Sequence, residues 1–386
     1  MIRPTAFLDA LLDDSERALR DSCKRFAERE IAPHAVEWEE AEIFPRELYD
    51  RAAKAGLLGV GFPEAVGGQG GTVMHAMMMT EGLLHGGTTG VVAGLGSLGI
   101  ALPPILAGGD PDHVERFIRP TLRGERIAAL GITEPGTGSA VAGVRTRAVK
   151  DGDDYRISGS KLFITSGARA DFITVLCRTG DDPHGGLTFF VVERDMPGYA
   201  VSRSLKKTGW RASDTAELSF DDVRVPSRNR VGAEGSAFVT LMRTFQGERL
   251  GLAAMAHGSA EIMLAEAASW SKSRNAFGRP LSGFQVTRHK LADMATQIVA
   301  AKTLNYTVGR RVADGHVLVA EVSMAKNFAC DVAQKVGYEA VQILGGMGYM
   351  RESIVERLSR DVRLLPIGGG TTEIMREIIS KTLGIG

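Results

Sequence analysis

The segment Leu130-Gly131-Ile132-Thr133-Glu134-Pro135-Gly136-Thr137-Gly138-Ser139 alternates glycine and proline with hydroxyl side chains. A loop of that make-up can present backbone N–H groups and hydroxyls to a polar planar ring or a phosphate. The alternative is an ordinary domain-linking loop. A second stretch, Lys161–Gly167, places Phe163 two residues before Thr165. On a strand both side chains face the same way, so the aromatic could shelter a ring that the hydroxyl bonds. A core phenylalanine is the alternative there. A third pattern, Gly94-Leu95-Gly96-Ser97-Leu98-Gly99, matches G-x-G-x-x-G, a dinucleotide fingerprint only between a strand and a long helix. Pro103-Pro104 is expected to stop any following helix within about one turn, leaving close helix packing around these glycines as the better reading. Cys23, Cys177 and Cys330 lie far apart with no C-x-x-C spacing. They are expected to be buried thiols, with no disulfide framework and no metal site.

These residues need a scaffold, and the composition allows a large one. The chain has 386 residues, 46 basic and 46 acidic, with zero formal net charge. That balance argues against a nucleic-acid-binding chain and against an acidic solvating one. Glycine is the outlier, with 47 residues against a usual share of ~7%. Such an excess points to special turns or to close backbone approach to a ligand. Asp9, Asp13, Asp14 and Glu16, with no apolar signal core, argue against a targeting segment. A cytoplasmic location is therefore expected, or an organelle matrix for a processed form. The uncharged stretch from Gly86 to Gly109 is long enough to cross a bilayer. Its glycines and its proline pair would break a spanning helix in lipid, so buried protein interior and no membrane span are expected.

Three textures follow one another along the chain. Residues 10–125 read as helical; Asp14–Trp38 carries apolar residues at helical spacing, and Met74, Met77, Met78 and Met79 form a core stripe. From 127 to 235, Asp151–Asp154 reads as a hairpin turn among short β-branched and aromatic runs. Beyond 236, long amphipathic runs cover Ala237–Ser271, Gln285–Ala313 and Leu318–Leu344. The expected class is α+β: an N-terminal helical domain (1–126), a small middle β-barrel-like domain (127–235) and a C-terminal four-helix bundle (236–386).

The motifs together resemble the acyl-CoA dehydrogenase family over nearly the whole chain. Leu130–Ser139 is similar to the family's T-E-P-G-x-G-S flavin loop and Phe163-Ile164-Thr165 to its W/F-I-T/S strand. Trp210–Leu218 carries the Arg and Ser-Asp-Thr pattern, Arg274–Gly278 with Gln285 the R-x-x-F-G…Q segment, and Gln342–Tyr349 the Q-x-x-G-G-x-G-[FY] segment. Gly368–Ile374 resembles the terminal [EG]-G-T-x-E/Q-I signature. The resemblance implies FAD held by Leu130, Ile132, Thr133, Gly138 and Ser139, with Phe163 and Thr165 around the ring and Thr371 and Glu373 completing the site. It implies that Arg274, Phe277, Gln285, Gln342 and Gly346 reach the FAD of a neighbouring subunit in a homotetramer, a dimer of dimers. It places Ser139, Gln246, Arg249, Gly369 and Gly370 near an acyl-CoA substrate and implies electron-transferring flavoprotein as electron acceptor.

The family's reaction removes the α-proton of an acyl thioester and passes the β-hydride to flavin. The protein must supply a carboxylate base raised toward neutrality and donors for the thioester oxyanion. Many members carry that base as Glu immediately before the terminal G-T; this chain has Gly369 there. Glu248, expected near the start of a helix in Phe245-Gln246-Gly247-Glu248-Arg249-Leu250, resembles the Glu-Arg pair of long-chain and isovaleryl-CoA dehydrogenases. The resemblance thus implies Glu248 as the base, with the Gly369 N–H still donating to the thioester oxygen and a long-chain or branched acyl substrate favoured. The rival functions are an acyl-CoA oxidase, a dehydrogenase of carrier-protein thioesters and a non-catalytic flavin-binding regulator. Leu130, Ala140 and Phe284 depart from the family's usual residues.

Overall fold

Asp13 starts the first helix: its carboxylate accepts the Glu16 N–H while the Glu16 carboxylate accepts the Asp13 N–H, a reciprocal cap. In this computed structural model, which describes residues 3–385, helix α1 (Asp14–Glu30) is followed by α2 (Ala35–Ala41). The helical spacing read over Asp14–Trp38 is thus interrupted at Ala32–His34, where Pro33 has no N–H to continue the ladder. Helices α3 (Glu47–Lys54), α4 (Val73–Leu83), α5 (Thr89–Gly96) and α6 (Leu98–Gly108) come next, then two short turns, α7 (Pro111–His113) and α8 (Arg119–Leu122). The methionine stripe is core, with Met74, Met77 and Met78 buried against Tyr306, Val322 and Ala325.

The proline pair does not stop the helix. Pro103 and Pro104 lie inside α6, contrary to the expectation from sequence. Burial supplies the reason: Ala101, Leu102, Pro104 and Ile105 pack in the interior, and Thr174 donates to the Ala101 carbonyl at 2.8 Å. Tertiary packing of this kind outweighs a local helix-breaking preference. The expected close packing holds at Gly94, where an added Cβ would lie 2.4 Å from Phe44, but Gly96 and Gly99 face open space. The stretch Thr89–Gly108, apolar enough to cross a membrane by composition, is two helices meeting at Ser97 and is mostly buried inside the protein.

The middle region forms one eight-stranded sheet. Its strands are β1 (Ala128–Gly131), β2 (Arg147–Asp151), β3 (Asp154–Thr165), β4 (Phe172–Arg178), β5 (Leu187–Glu193), β6 (Tyr199–Ser204), β7 (Thr215–Val225) and β8 (Arg230–Val231). The order is β6-β7-β3-β2-β4-β5-β8, with β1 parallel to β4. Asp151 pairs with Asp154 across the expected hairpin. Tyr155, Ile157, Val175, Phe190, Leu218 and Val223 fill one face, while Phe172, Leu176, Phe189 and Val191 of the other face join the helical core.

The C-terminal region opens with α9 (Ala237–Ser273), followed by the two-residue strands β9 (Asn275–Ala276) and β10 (Arg279–Pro280). Helices α10 (Gln285–Ala313), α11 (Val319–Leu344), α12 (Ile354–Asp361) and α13 (Thr372–Thr382) complete the chain. The core running through Met263, Ile298, Ala333 and Leu358 is continuous with that of the N-terminal helices. Cys23, Cys177 and Cys330 are all buried and free.

Candidate active site

Two of the sequence motifs are bound to each other. The Leu162 N–H donates to the Thr133 carbonyl at 2.7 Å, and the buried Lys161 ammonium donates to the Ile132 carbonyl at 3.0 Å. The loop after β1 is therefore stitched to the end of β3. Glu134 does the rest: it pairs with Lys161 at 2.9 Å and accepts the N–H groups of Arg145 and Thr146, both at 2.8 Å. Burial would raise this carboxyl, yet Lys161 and those amides hold it below the usual carboxylate range. Beyond it, Glu134 and Thr137 exchange backbone hydrogen bonds across a tight turn at Pro135-Gly136. Leu130 and Ile132 are buried beneath this loop, Thr133 is half-buried, and Gly138 and Ser139 are exposed.

Phe163 reaches the surface by a device that alternation alone would not reveal. Between Lys161 and Ile164 strand β3 carries an extra residue relative to β7, and Phe163 takes a left-handed backbone with φ 62°. A β-bulge re-aims a side chain in this way. Phe163 is 64% exposed, a state an ordinary core phenylalanine would not adopt, and Thr165 at the strand end is half-buried. Left-handed backbone in a bulky residue is costly and marks functional positions. The Ser-Asp-Thr motif supports the same corner: Asp214 accepts the Ala168 N–H at 2.8 Å and the Arg169 Nε–H at 2.5 Å.

The second group lies on the bundle. Glu248 is well inside α9 rather than near its start, because helical structure begins already at Ala237. It therefore lacks the help that a helix N-terminus gives a carboxylate. Burial raises its pKa to about 7, with Arg249 and Lys326 pulling the other way. Its Oε2 is buried without a hydrogen-bond partner, as is Oε1 of Gln246 two residues earlier. Gly369 faces it directly: a Cβ added there would lie 3.6 Å from Glu248 Oε1 and 2.6 Å from Leu252 Cδ1. Gly369 also has φ +65°, which favours glycine.

The segment bearing Gly369 is held from both sides. Arg249, 4% exposed, donates from Nε to the Gly369 carbonyl at 3.2 Å. Lys326 of α11, fully buried, donates to the Gly368 carbonyl at 2.7 Å and also to that of Gly370. Thr371 caps α13, accepting the Ile374 N–H, and Glu373 is exposed in the first turn. Sequence reasoning missed Lys326; the available signal was a lone lysine among Val322, Ala325, Ala329 and Cys330 on an apolar helix face. It missed the Glu134–Lys161 pair as well. A third set stands apart: Arg274, Phe277, Gln285, Gln342 and Gly346 are all exposed, Phe277 at 96%.

The chain matches known proteins along its length. Three domain families match: "Acyl-CoA dehydrogenase, N-terminal domain" over residues 13–125, "middle domain" over 129–223 and "C-terminal domain" over 236–384. It is 38% identical to the long-chain specific acyl-CoA dehydrogenase of Sus scrofa, over 94% of this chain and 85% of the relative. Among solved structures, it is 53% identical to a probable acyl-CoA dehydrogenase of Mycobacterium abscessus, with TM-score 0.95, covering 97% of this chain and 100% of the other. A glutaryl-CoA dehydrogenase of Mycobacterium smegmatis in complex with FADH2 is 29% identical at TM-score 0.93, covering 99% and 98%. With all three domain families in order and a fold that superimposes end to end, this chain belongs to the acyl-CoA dehydrogenase family and is an FAD-dependent oxidoreductase.

Proposed function

We propose that the protein converts an acyl-CoA thioester to the trans-2-enoyl-CoA, with Glu248 taking the α-proton and a long-chain or branched acyl group favoured. The observation that carries this reading is the approach of the Glu248 carboxylate to the position a side chain at Gly369 would occupy. The family's more common base would project from 369 into the same space. A base must be unprotonated yet hungry for a proton, and a carboxylate raised to about 7, with one oxygen buried and unpaired, meets both needs.

The residues present fit the family's FAD. Phe163 stands exposed on its bulge beside Thr165, and Gly136 and Gly138 leave open space where a Cβ would fill the cradle. Leu130, Ile132, Thr133, Gly138, Ser139, Phe163, Thr165, Thr371 and Glu373 would hold it. When bound, FAD supplies the two-electron acceptor for the β-hydride that no side chain can provide. Glu248 takes the α-proton onto a carboxylate oxygen. The Gly369 N–H donates to the thioester oxygen as negative charge builds there, and Arg249 holds that backbone through its carbonyl. Gln246, Ser139 and Gly370 position the acyl-CoA. The exposed set Arg274, Phe277, Gln285, Gln342 and Gly346 would meet the FAD of a neighbouring subunit in a homotetramer built as a dimer of dimers, with electron-transferring flavoprotein taking the electrons onward.

Anaerobic bleaching of the bound flavin by acyl-CoAs of graded length tests the reading. Long or branched acyl chains are expected to bleach fastest, in keeping with the Glu248-Arg249 pair that resembles long-chain and isovaleryl-CoA dehydrogenases. The bleaching rate should fall as pH drops below about 7, since protonated Glu248 cannot accept a proton. A flavoprotein that no acyl-CoA bleaches would defeat the proposal. A transplanted base gives a second expectation. Glu248→Gly combined with Gly369→Glu should recover roughly ten-fold or more of the rate lost in Glu248→Gly alone. Recovery should stay incomplete, because the new side chain sits on a φ +65° backbone and must displace Leu252. No recovery at all would argue that the two positions do not share one volume.

A further inference from the structure

Three lysines, Lys161, Lys302 and Lys326, are buried to 1% exposure or less among the described residues. Lys161 pairs with Glu134, and Lys302 with Glu81 and Glu261. Lys326 has no carboxylate within 4.0 Å among the described residues; its ammonium is spent on the carbonyls of Gly368 and Gly370. Burying an ammonium without a counter-ion is costly, and two carbonyls offset only part of that cost. The carbonyls it has chosen flank Gly369, whose Cβ direction leads to the carboxylate of Glu248, one oxygen of which is buried without a partner. A buried cation without a carboxylate partner therefore grips the backbone on either side of the glycine that faces Glu248.

We propose that Lys326 is a positioning residue for proton abstraction: it fixes the Gly368–Gly370 segment beside Glu248 and supplies positive charge that favours the ionised form of this carboxylate. The inference rests on Glu248 being the base. The charged groups facing Glu248 are Arg249 on its own helix and Lys326 on α11, both favouring the anion. Facing Lys326 are Glu248 and Arg249 from α9 and the thiol of Cys330 one turn along α11; the 368–370 segment offers only carbonyls. Arg249 is already engaged with Gly369 and with the Phe245 ring. Lys326 is thus the charge that can be removed without touching the helix that carries the base.

The test is the pH dependence of anaerobic flavin bleaching in the FAD-loaded protein, using whichever acyl-CoA bleaches the wild type fastest. Lys326→Met should move the acid limb up by about one pH unit, making bleaching about ten-fold slower below the limb. At high pH, where Glu248 is ionised anyway, the deficit should shrink to a pH-independent remainder left by the lost grip on the Gly368–Gly370 segment. Lys326→Arg keeps the charge and should keep the wild-type limb. A lysine that merely braced the fold would lower the rate equally at every pH, so an unmoved limb in Lys326→Met overturns the proposal. Should the methionine protein not retain flavin, Lys326→Gln carries the same comparison, because it keeps N–H donors and loses the charge. Glu248→Gln separates the two ideas. If it bleaches normally, the base assignment has failed; if it is inert while Lys326→Met keeps its limb, only the role of Lys326 has failed.

Discussion

Glu248→Gln is expected to bind FAD in full and to bleach about 10²–10⁴-fold more slowly than the wild type, the usual contribution of a positioned general base. The substitution keeps shape and removes only the ability to accept a proton. It should not unfold the protein, for a reason that lies in the same geometry. Glu248 has an unpaired buried oxygen and a pKa raised from 4.5 to about 7, so the folded state binds its proton more tightly than the unfolded chain does. Between those two values the folded state therefore loses stability as pH rises. A neutral amide abolishes that dependence, so the variant should melt at or above the wild-type temperature near neutral pH. A loss of activity without a loss of stability is the signature of a group whose burial serves chemistry. Full turnover by a flavin-loaded Glu248→Gln protein would end the assignment.

The largest expected loss of stability lies elsewhere, at Lys302→Met. Lys302 is 1% exposed and sits 2.8 Å from Glu81 and 2.9 Å from Glu261. Glu81 belongs to α4, Glu261 to α9 and Lys302 to α10, so one ammonium ties the N-terminal helices to the bundle. Tyr306 adds its hydroxyl to Glu81 at 2.8 Å, and Thr5 donates to Glu261. Nearby His257, fully buried, is pushed down to about 3 by burial and by the Lys302 charge, so Lys302 is the cation that serves these carboxylates in the wild type. Removing Lys302 leaves buried Glu81 and half-buried Glu261 without their shared ammonium, which costs about 3–5 kcal/mol. Urea unfolding of the FAD-loaded protein should show a correspondingly lower midpoint. Glu81→Gln in the Lys302→Met background should recover part of the loss, since it removes one of the stranded charges. An unchanged midpoint in Lys302→Met would mean that the network contributes nothing net.

Local sequence rules reached far into this fold. The apolar spacing over Gln285–Ala313 delivered α10 with both ends, and Asp151–Asp154 delivered its hairpin, because helix periodicity and turn chemistry act within a few residues. Similarity of motifs carried the reading further, to FAD, to the acyl-CoA dehydrogenase family and to the absence of a carboxylate at Gly369. The failures share one cause. Pro103-Pro104 runs inside a helix because Thr174 and the surrounding core hold it there. Phe163 faces outward because a bulge against β7, not simple alternation, sets its direction. Lys326 looked like one more residue of α11 until the fold set it against two carbonyls.

Gly369 and Glu248 divide the two kinds of knowledge most clearly. By itself the sequence determined that one position lacks a side chain and that another, more than a hundred residues earlier, carries a carboxylate beside an arginine. Only the tertiary structure decided that the missing Cβ would point at that carboxylate from 3.6 Å, and that Arg249 and Lys326 grip the strip of backbone between them. The physical reason is that burial, and with it the raised pKa of Glu248, belongs to the packing of α9 against α11 and the glycine segment. No stretch of chain holds that property alone.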